Sequence, residues 1–476
     1  MSLFFVVSLP ALYNNGSNMK NTKTPATASF TSEGPAKYSY RYIWKVAYPI
    51  LISLIMEQMI GMTDTAFLGR VGEIELGASA IAGVYYMVIF MTGFGFSLGA
   101  QIMIGRRNGE GNHSEAGRIF WHGVYFLLGL AVLVVALSEA FSPWLMSHMV
   151  SSENIYAAAM SYVSWRVPGL FFAFMTAMFR AFYVGTTQTR TLTLNSLVMV
   201  LSNVLFNWIL IFGKFGVPAL GIAGAAIGST LAELVSLIFF ITYTVRKCDT
   251  VRFGIDRPAR FEWRELKGII SVSVWTMIQN FLSVSTWFIF FLFVEHLGER
   301  ALAISNIVRS ISGLIWMVLM AFASTGSTLV SNMIGEGHQQ YVMSLLKRIL
   351  KLTYAIVSAI IMLFCLFPET VTGIYTDIPD LISATIPAMT VMTTSYLVST
   401  ASLIFFQAVS GTGNTQKAFH LELAALAIYM VYCWLVIRVM KADVAVCWTA
   451  EYVYSAVMLL LCGRYMLSGR WKDKTI

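Results

Sequence analysis

The feature that most limits the fold of this chain is a series of twelve apolar runs, each long enough to cross a lipid bilayer. A transbilayer helix needs about 20 apolar residues. The runs lie near residues 46–69, 79–105, 114–138, 155–184, 190–213, 219–245, 268–296, 301–332, 340–367, 381–410, 416–439 and 442–464. Only 12% of residues are charged, against about 25% in soluble domains. We therefore predict an all-α polytopic membrane protein with twelve transmembrane helices, which excludes a soluble enzyme and an outer-membrane barrel.

The longest polar interruption, residues 246–267, divides the chain into halves of six predicted helices each. We predict a first lobe at 42–245 and a second lobe at 268–464, joined by this linker and flanked by tails at 1–41 and 465–476. Of the 32 Lys and Arg residues, 24 fall on the tails, the linker and the loops that share their side. Because basic loops stay in the cytoplasm, both termini are predicted to be cytoplasmic.

The two halves repeat each other at a shift of 226 residues. Such a shift, held over more than a hundred residues, indicates an internal repeat. An even number of helices in each half predicts that both halves enter the membrane in the same direction, related by an axis along the membrane normal. The matches include Gly72 and Glu73 with Gly298 and Glu299, residues 109–111 with 335–337, Gly185 with Gly411, and Trp208 with Trp434.

Cysteine spacing, histidine placement and net charge exclude several other functions. The five cysteines have no CxxC spacing and the six histidines lie mostly at the ends of predicted helices, so we predict no disulfide framework and no metal enzyme site. The net charge of +8 lies largely on the inner loops, where it sets topology and favours no nucleic-acid partner. No Walker motif lies in a polar loop, and no cofactor is predicted.

Ionisable residues inside predicted helices cost roughly 2.5 to 3.5 kcal/mol each and are therefore candidates for function. A rise of about 1.5 Å per residue puts Asp64, Asn203, Asn207 and Thr230 in the outer half of the first lobe. These oxygens would suit sodium, and protonation of Asp64 would serve equally because burial favours the neutral carboxyl. The cluster is therefore predicted to bind sodium or a proton, with helix packing as the alternative.

A deeper set, Glu57, Glu233 and Arg166, lies near the middle of the membrane by the same count. Glu57 is seven residues before Asp64, so it lies on nearly the same helix face and two turns further in. This set is predicted to be either a proton relay or floor for a cationic substrate, or a bridge between Arg166 and a carboxylate that holds helices together.

The second half offers weaker candidates. Polar Gln279, Asn280 and Asn306 are candidates for lining a substrate cleft. Arg309 and Glu451 lie at similar depths and are predicted to form a structural pair. Glu422 is six residues from Gln416, so its side chain is predicted to reach the inner interface.

Four segments of the first half carry a recognisable pattern: PILISLIMEQMIGMTDTAFLGRVG in the first helix, the turn GRRNGEG, NVLFNWILIFG in the fifth helix and GIAGAAIGSTLAE in the sixth. Together they resemble the multidrug and toxic compound extrusion (MATE) family. The resemblance extends from about Tyr42 to Arg464 and keeps the order of the motifs across both halves. The Arg of the fourth helix and the Ala-Glu of the sixth are similar to the bacterial branch related to DNA-damage-inducible members.

This resemblance implies an antiporter of the bacterial inner membrane with two bundles around a central cleft. It implies export of organic, often cationic, compounds in exchange for sodium ions or protons, with Asp64 as the cation carboxylate and Asn203, Asn207 and Thr230 beside it. The chain departs from many bacterial members, which carry Asp at the position of Asn207. It also has Gln279 and no carboxylate where sodium-coupled relatives carry acids in the seventh and tenth helices.

The predicted function is cation-coupled export by rocking of two lobes, carried out by a monomer on small organic substrates. The alternative is a flippase for a lipid-linked saccharide, which shares a related two-lobe plan. A flippase cavity should be rich in Arg and Lys to hold pyrophosphate, whereas carboxylates outnumber bases inside the predicted helices of this chain. A membrane-embedded enzyme would need a cluster of His, Asp or Cys, which the spacing does not provide.

Overall fold

Twelve long helices make up most of the fold, in a computed structural model that describes residues 30–31, 34–150 and 152–472. All twelve are long and apolar enough to cross a membrane, which confirms the predicted all-α membrane fold. Residues 1–29 and 473–476 of the predicted tails lie outside the described residues. The helices are α1 Tyr40–Leu68, α2 Glu73–Gly109, α3 His113–Met149, α4 Glu153–Gly185, α5 Arg190–Phe212, α6 Gly221–Lys247, α7 Trp263–Glu295, α8 Glu299–Gly335, α9 Gln339–Leu366, α10 Pro379–Gly411, α11 Thr415–Val439 and α12 Val444–Leu467.

Short elements connect or interrupt these helices. Strands β1 Phe30–Thr31 and β2 Gly34–Pro35 pair antiparallel before α1. Helix α4 contains a 3₁₀ turn at Val167–Gly169, because a proline there has no N–H to continue the α-helical ladder. Helix α11 ends in a π-helical stretch at Trp434–Val439, and short helices lie at Ala36–Tyr38, Thr250–Phe253 and Pro368–Gly373.

Several helices extend beyond the predicted apolar runs. Helix α2 begins at Glu73 rather than near residue 79, and its first turn contains Glu73 and Glu75. Acidic side chains are favourable near a helix N-terminus because of the helix dipole. They also make the first turn polar, so the apolar run that predicted this helix begins later than the helix itself. Helix α12 likewise continues to Leu467, past the predicted limit at 464.

Each half encloses its own apolar core, and α1 contacts both cores. Phe174 and Phe182 lie in the core of the first half, and Phe322 and Trp448 lie in the core of the second. The inner part of α1, including Ile43, packs into the second core. Within a bilayer such contacts stabilise by close packing rather than by removal from water. The repeat is visible in the helix bounds, since α2 and α8 begin and end at the same 226-residue shift.

The two halves bond to each other at the ends of α2 and α8 that lie on the side of the chain termini. Gln101 Nε2 donates to Thr328 Oγ1 at 3.0 Å, and Asn108 Nδ2 donates to Asn332 Oδ1 at 2.7 Å. Arg106 donates to the backbone carbonyl of Thr412 at 2.8 Å. These direct bonds close the space between the halves on that side.

Gly109 and Gly335 allow the close approach of α2 and α8. A Cβ at Gly109 would overlap the backbone carbonyl of Asn332, and a Cβ at Gly335 would overlap that of Arg106. The two glycines are related by the repeat shift, so the same contact is made twice across the pseudo-twofold axis. Small residues at helix crossings are the usual means of bringing backbones together in membranes.

We expect Gly109→Ala to destabilise the protein by about 1–3 kcal/mol, because overpacking a close backbone contact forces the helices apart. Thermal unfolding of the purified protein in detergent measures this change. The matched control is Gly83→Ala on the same helix, where no atom lies within 4 Å of the added Cβ. Alanine should be neutral or favourable there, and equal melting of the two variants would contradict the assignment of this contact.

Candidate functional site

Asp64 on α1 accepts hydrogen bonds from side chains on two neighbouring helices. Asn207 Nδ2 on α5 donates to one carboxylate oxygen at 2.6 Å, and Ser229 Oγ on α6 donates to the other at 3.1 Å. Asn203 Nδ2 donates to Ser229 Oγ at 3.0 Å, and Asn203 Oδ1 accepts from Asn207 Nδ2 at 3.2 Å. Both asparagines are almost fully buried. Four side chains from three helices thus form one hydrogen-bonded network.

The network contains a carboxylate without a basic partner. Among the described residues, no Lys, Arg or His forms an ion pair with Asp64, and the intramembrane Arg166 and Arg180 are paired with other carboxylates. Amide and hydroxyl donors stabilise a carboxylate but do not neutralise its charge. Asp64 therefore differs from Glu57 and Glu233, each of which is paired directly with an arginine.

Glycine on α6 determines how closely α5 and α6 approach at this network. A Cβ at Gly228 would overlap Asn207 Oδ1, and a Cβ at Gly224 would lie 2.6 Å from the backbone of Leu210. Asn207 Oδ1 has no hydrogen-bond partner among the described residues. The small residues of α6 therefore admit the asparagine, whose oxygen faces Gly228 while its nitrogen faces Asp64.

Thr230, which the sequence analysis placed in the cation cluster, bonds elsewhere. Its hydroxyl donates to the backbone carbonyl of Trp165 at 3.1 Å. The hydroxyl that contacts Asp64 belongs to the preceding residue, Ser229, which the sequence analysis missed. Adjacent residues of a helix have the same depth but point about 100° apart. A serine among the small residues of α6 was the available signal.

Glu57 lies apart from the Arg166 group and forms a separate pair. Its carboxylate forms a short ion pair with Arg180 on α4 and accepts from Ser53 Oγ at 3.1 Å. Ser196 on α5 donates to Ser53 at 3.0 Å. The sequence analysis grouped Glu57 with Glu233 and Arg166 by depth, but the structure does not bring it to them.

Arg166 on α4 and Glu233 on α6 form a buried, fully bonded ion pair. The two guanidinium nitrogens donate to the two carboxylate oxygens at 2.9 and 2.6 Å. Tyr86 on α2 donates its hydroxyl to Glu233 at 3.0 Å, and its ring lies 3.9 Å from the Arg166 guanidinium carbon. Bidentate geometry and a stacked ring hold three helices together. This arrangement supports the structural reading of the pair over a proton relay.

The polar cleft candidates of the second half form no side-chain hydrogen bonds to one another among the described residues. Asn280 and Asn306 donate to backbone carbonyls one turn earlier on their own helices. Gln279 is buried, with 8% of its surface exposed. None of the three bonds to another helix among the described hydrogen bonds.

Two further predictions for the second half are wrong. Arg309 does not pair with Glu451: its guanidinium carbon lies 5.8 Å from the ring of Trp287, while Glu451 accepts from Tyr429 at 3.4 Å. Glu422 does not reach the inner interface, since it is 4% exposed and bonds to side chains of α7 and α12. Depth alone could not reveal these partners, because they depend on which helices are neighbours.

The paired halves, the closure between them and the partly buried Asp64 network together define a two-lobed membrane transporter. The MatE family profile matches residues 49–209 and again residues 276–435, once in each half. The chain belongs to the MATE family, which confirms the resemblance drawn from the sequence motifs.

Relatives and solved structures agree with this assignment. A probable multidrug resistance protein NorM of Thermotoga maritima is 24% identical over 442 residues, covering 91% of this chain and 93% of that protein. Another, from Neisseria meningitidis serogroup A, is 26% identical and covers 62% and 65%. A MOP superfamily transporter from Pyrococcus furiosus superposes with a TM-score of 0.81 at 16% identity, covering 94% of this chain and 100% of that one. A MATE transporter of Vibrio cholerae gives 0.83 at 14% identity, covering 91% and 98%.

We expect loss of Arg166 alone to destabilise the protein more than replacement of both Arg166 and Glu233. Arg166→Met should destabilise by about 3–5 kcal/mol because it leaves Glu233 buried and unpaired. Replacing both residues with Met should recover most of this loss, since no uncompensated charge remains. Thermal unfolding in detergent measures both variants. A double variant as unstable as Arg166→Met would contradict a purely structural pair.

Proposed function

We propose that this protein exports small organic compounds, cationic ones among them, across the bacterial inner membrane in exchange for a cation. The observation that carries the proposal is the Asp64 carboxylate, which is bonded only to neutral donors inside the first lobe. Family membership and the NorM relatives support the transport of organic compounds. The charge balance at Asp64 supports coupling to a cation.

Donor geometry favours the proton over sodium as the coupling ion. Both groups that face Asp64, Asn207 Nδ2 and Ser229 Oγ, donate hydrogen bonds to it. Sodium would need oxygen atoms directed at the ion, whereas Asn207 Oδ1 faces Gly228 and Asn203 Oδ1 accepts from Asn207. The network as it stands fits a carboxyl group that gains and loses a proton.

In the proposed cycle, the bonds between α2 and α8 close the cytoplasmic side while the lobes are open outward. Asp64 then takes a proton, its charge is removed, and the lobes rock to the inward-open state. Loss of the proton to the cytoplasm restores the negative charge, and an organic cation binds in the cleft in its place. Exchange of one proton for one monovalent organic cation moves no net charge, so the pH gradient drives it. Each pH unit supplies about 1.4 kcal/mol, which supports a roughly tenfold substrate gradient.

A lipid-linked saccharide flippase is less well supported. A pyrophosphate group would need accessible Arg or Lys inside the cleft. Of the three intramembrane arginines, Arg166 and Arg180 are bound to carboxylates and Arg309 lies beside Trp287. The first lobe therefore offers an exchangeable negative charge rather than a free positive one.

We expect an imposed pH gradient to drive transport of an organic cation such as ethidium in vesicles containing the protein. The cation should move in the direction opposite to the protons, with no requirement for sodium. Asp64→Asn should reduce this transport to background, because the amide cannot gain or lose a proton. The measurement is fluorescence-monitored transport at fixed membrane potential, with pH and sodium gradients imposed separately.

Thr230→Val is the matched control for the Asp64 variant. It removes a hydroxyl at the same depth that bonds only to the carbonyl of Trp165, so transport should stay within about twofold of the parent protein, as for most substitutions outside a functional network. Transport that survives Asp64→Asn would exclude the site, and transport driven by sodium alone would exclude the proton.

A further inference from the structure

Glu422 on α11 is buried in the second lobe with one carboxylate oxygen unbonded. Its Oε1 accepts from Ser283 Oγ on α7 at 2.6 Å and from Tyr454 Oη on α12 at 3.3 Å. The residue is 4% exposed, and Oε2 has no hydrogen-bond partner among the described residues. Within the part of the chain that the structure describes, Glu422 forms no ion pair with Lys, Arg or His. The described donors to this carboxylate are both hydroxyl groups.

Gln279, on the same helix as Ser283, has a second unbonded side-chain oxygen. It precedes Ser283 by one turn and therefore lies on the same face of α7. It is 8% exposed, and its Oε1 also has no hydrogen-bond partner among the described residues. Buried acceptors are nearly always satisfied in native structures. The two packed helices α7 and α11 thus each carry a buried oxygen that a proton or a cation could satisfy.

A second carboxylate, Glu451 on α12, lies three residues before Tyr454 and also has no basic partner within the described part of the chain. It accepts from Tyr429 at 3.4 Å, and the rings of Tyr429 and Tyr454 are 5.8 Å apart. Two carboxylates joined through two tyrosines thus share one region without a compensating positive charge, which is costly at membrane depth. The other titratable groups that face these carboxylates are Tyr396, Cys433 and Cys462.

The internal repeat shows how this region differs from the same place in the first lobe. Ser53, Glu57 and Ser196 of the first lobe correspond to Gln279, Ser283 and Glu422 of the second. In the first lobe Ser53 bonds to both Glu57 and Ser196, and in the second lobe Ser283 bonds to Glu422. Each set of three positions contains one glutamate. The carboxylate has moved from the first helix of the repeat to the fifth.

The compensating arginine is present in one lobe and absent from the other. Glu57 is neutralised by Arg180, and the residue that corresponds to Arg180 in the second lobe is Phe406, which is buried. A guanidinium is permanently charged and fixed in place. Its replacement by a phenyl ring leaves the second-lobe carboxylate to be neutralised by something that can come and go.

We propose that Glu422, with Gln279, Ser283 and Tyr454, forms a second exchange site for a monovalent cation, either a proton or sodium. The carboxylate comes from α11, with oxygen-bearing partners on α7 and α12. The site goes beyond the transport cycle proposed above, which needs only Asp64. The protein would then bind one ion at Asp64 in the first lobe and another at Glu422 in the second lobe, and the two sites would be independent.

The test uses the full-length Asp64→Asn protein in detergent, so that the first-lobe carboxylate is silent. Infrared difference spectra between acidic and alkaline buffer report carboxyl groups that change protonation, and equilibrium binding of radioactive sodium at alkaline pH reports the alternative ion. Adding Glu422→Gln should remove either a pH-dependent carboxyl band or the sodium binding. The first result identifies a proton site and the second a sodium site.

Positioning variants keep the test decisive if Glu422→Gln is poorly folded. Ser283→Ala and Tyr454→Phe each remove a donor to the charged carboxylate, so each should raise its proton affinity by about tenfold or weaken sodium binding by a similar factor. Ser285→Ala, on the same helix and bonded only to the carbonyl of Phe281, should change neither. If Glu422→Gln leaves both signals intact, or if Glu451→Gln alone removes them, the proposal is wrong. That outcome leaves the assignment of Asp64 untouched, because this assay measures no transport.

Discussion

Neutralisation of carboxylates inside the bilayer is the constraint on which the rest of this structure depends. A bare charge at that depth is too costly to maintain, and the chain meets this cost in two ways. Glu233 and Glu57 each hold an arginine, which is always charged and cannot be exchanged. Among the described residues Asp64 accepts hydrogen bonds only from amide and hydroxyl groups, and we propose that its neutralising partner comes from outside the protein. This difference separates the arginine-paired carboxylates from those proposed to exchange a cation.

Helix α1 relates the exchangeable carboxylate to the arrangement of the lobes. Its outer half carries Asp64 in the first-lobe network, while its inner end packs Ile43 into the core of the second half. The lobes also bond directly through α2 and α8 on the side of the termini. A change of charge at Asp64 therefore acts on a helix that contacts both lobes. The packing of small residues on α6 keeps the asparagines in register with that carboxylate.

The sequence predicted depth well and side-chain direction poorly. The twelve helices, the two halves and the meeting of Asp64 with Asn203 and Asn207 follow from apolar length and a constant rise per residue. Thr230 was chosen in place of Ser229 because both have the same depth, and helix rotation is set by packing. The partners of Glu57 and Glu422 depend on neighbouring helices. The internal repeat relates the positions around Glu57 to those around Glu422. It could have predicted the contacts of one lobe only if the contacts of the other lobe were already known.

The central claim is that Asp64 exchanges a proton for an organic cation, and proton release on substrate binding tests it most directly. Purified protein in weakly buffered detergent solution is mixed with the organic cation, and a pH-indicator dye records the protons released. The account predicts release in the parent protein and its loss in Asp64→Asn at saturating substrate. Substrate binding without proton release, or release of the same size in Asp64→Asn, would contradict the account.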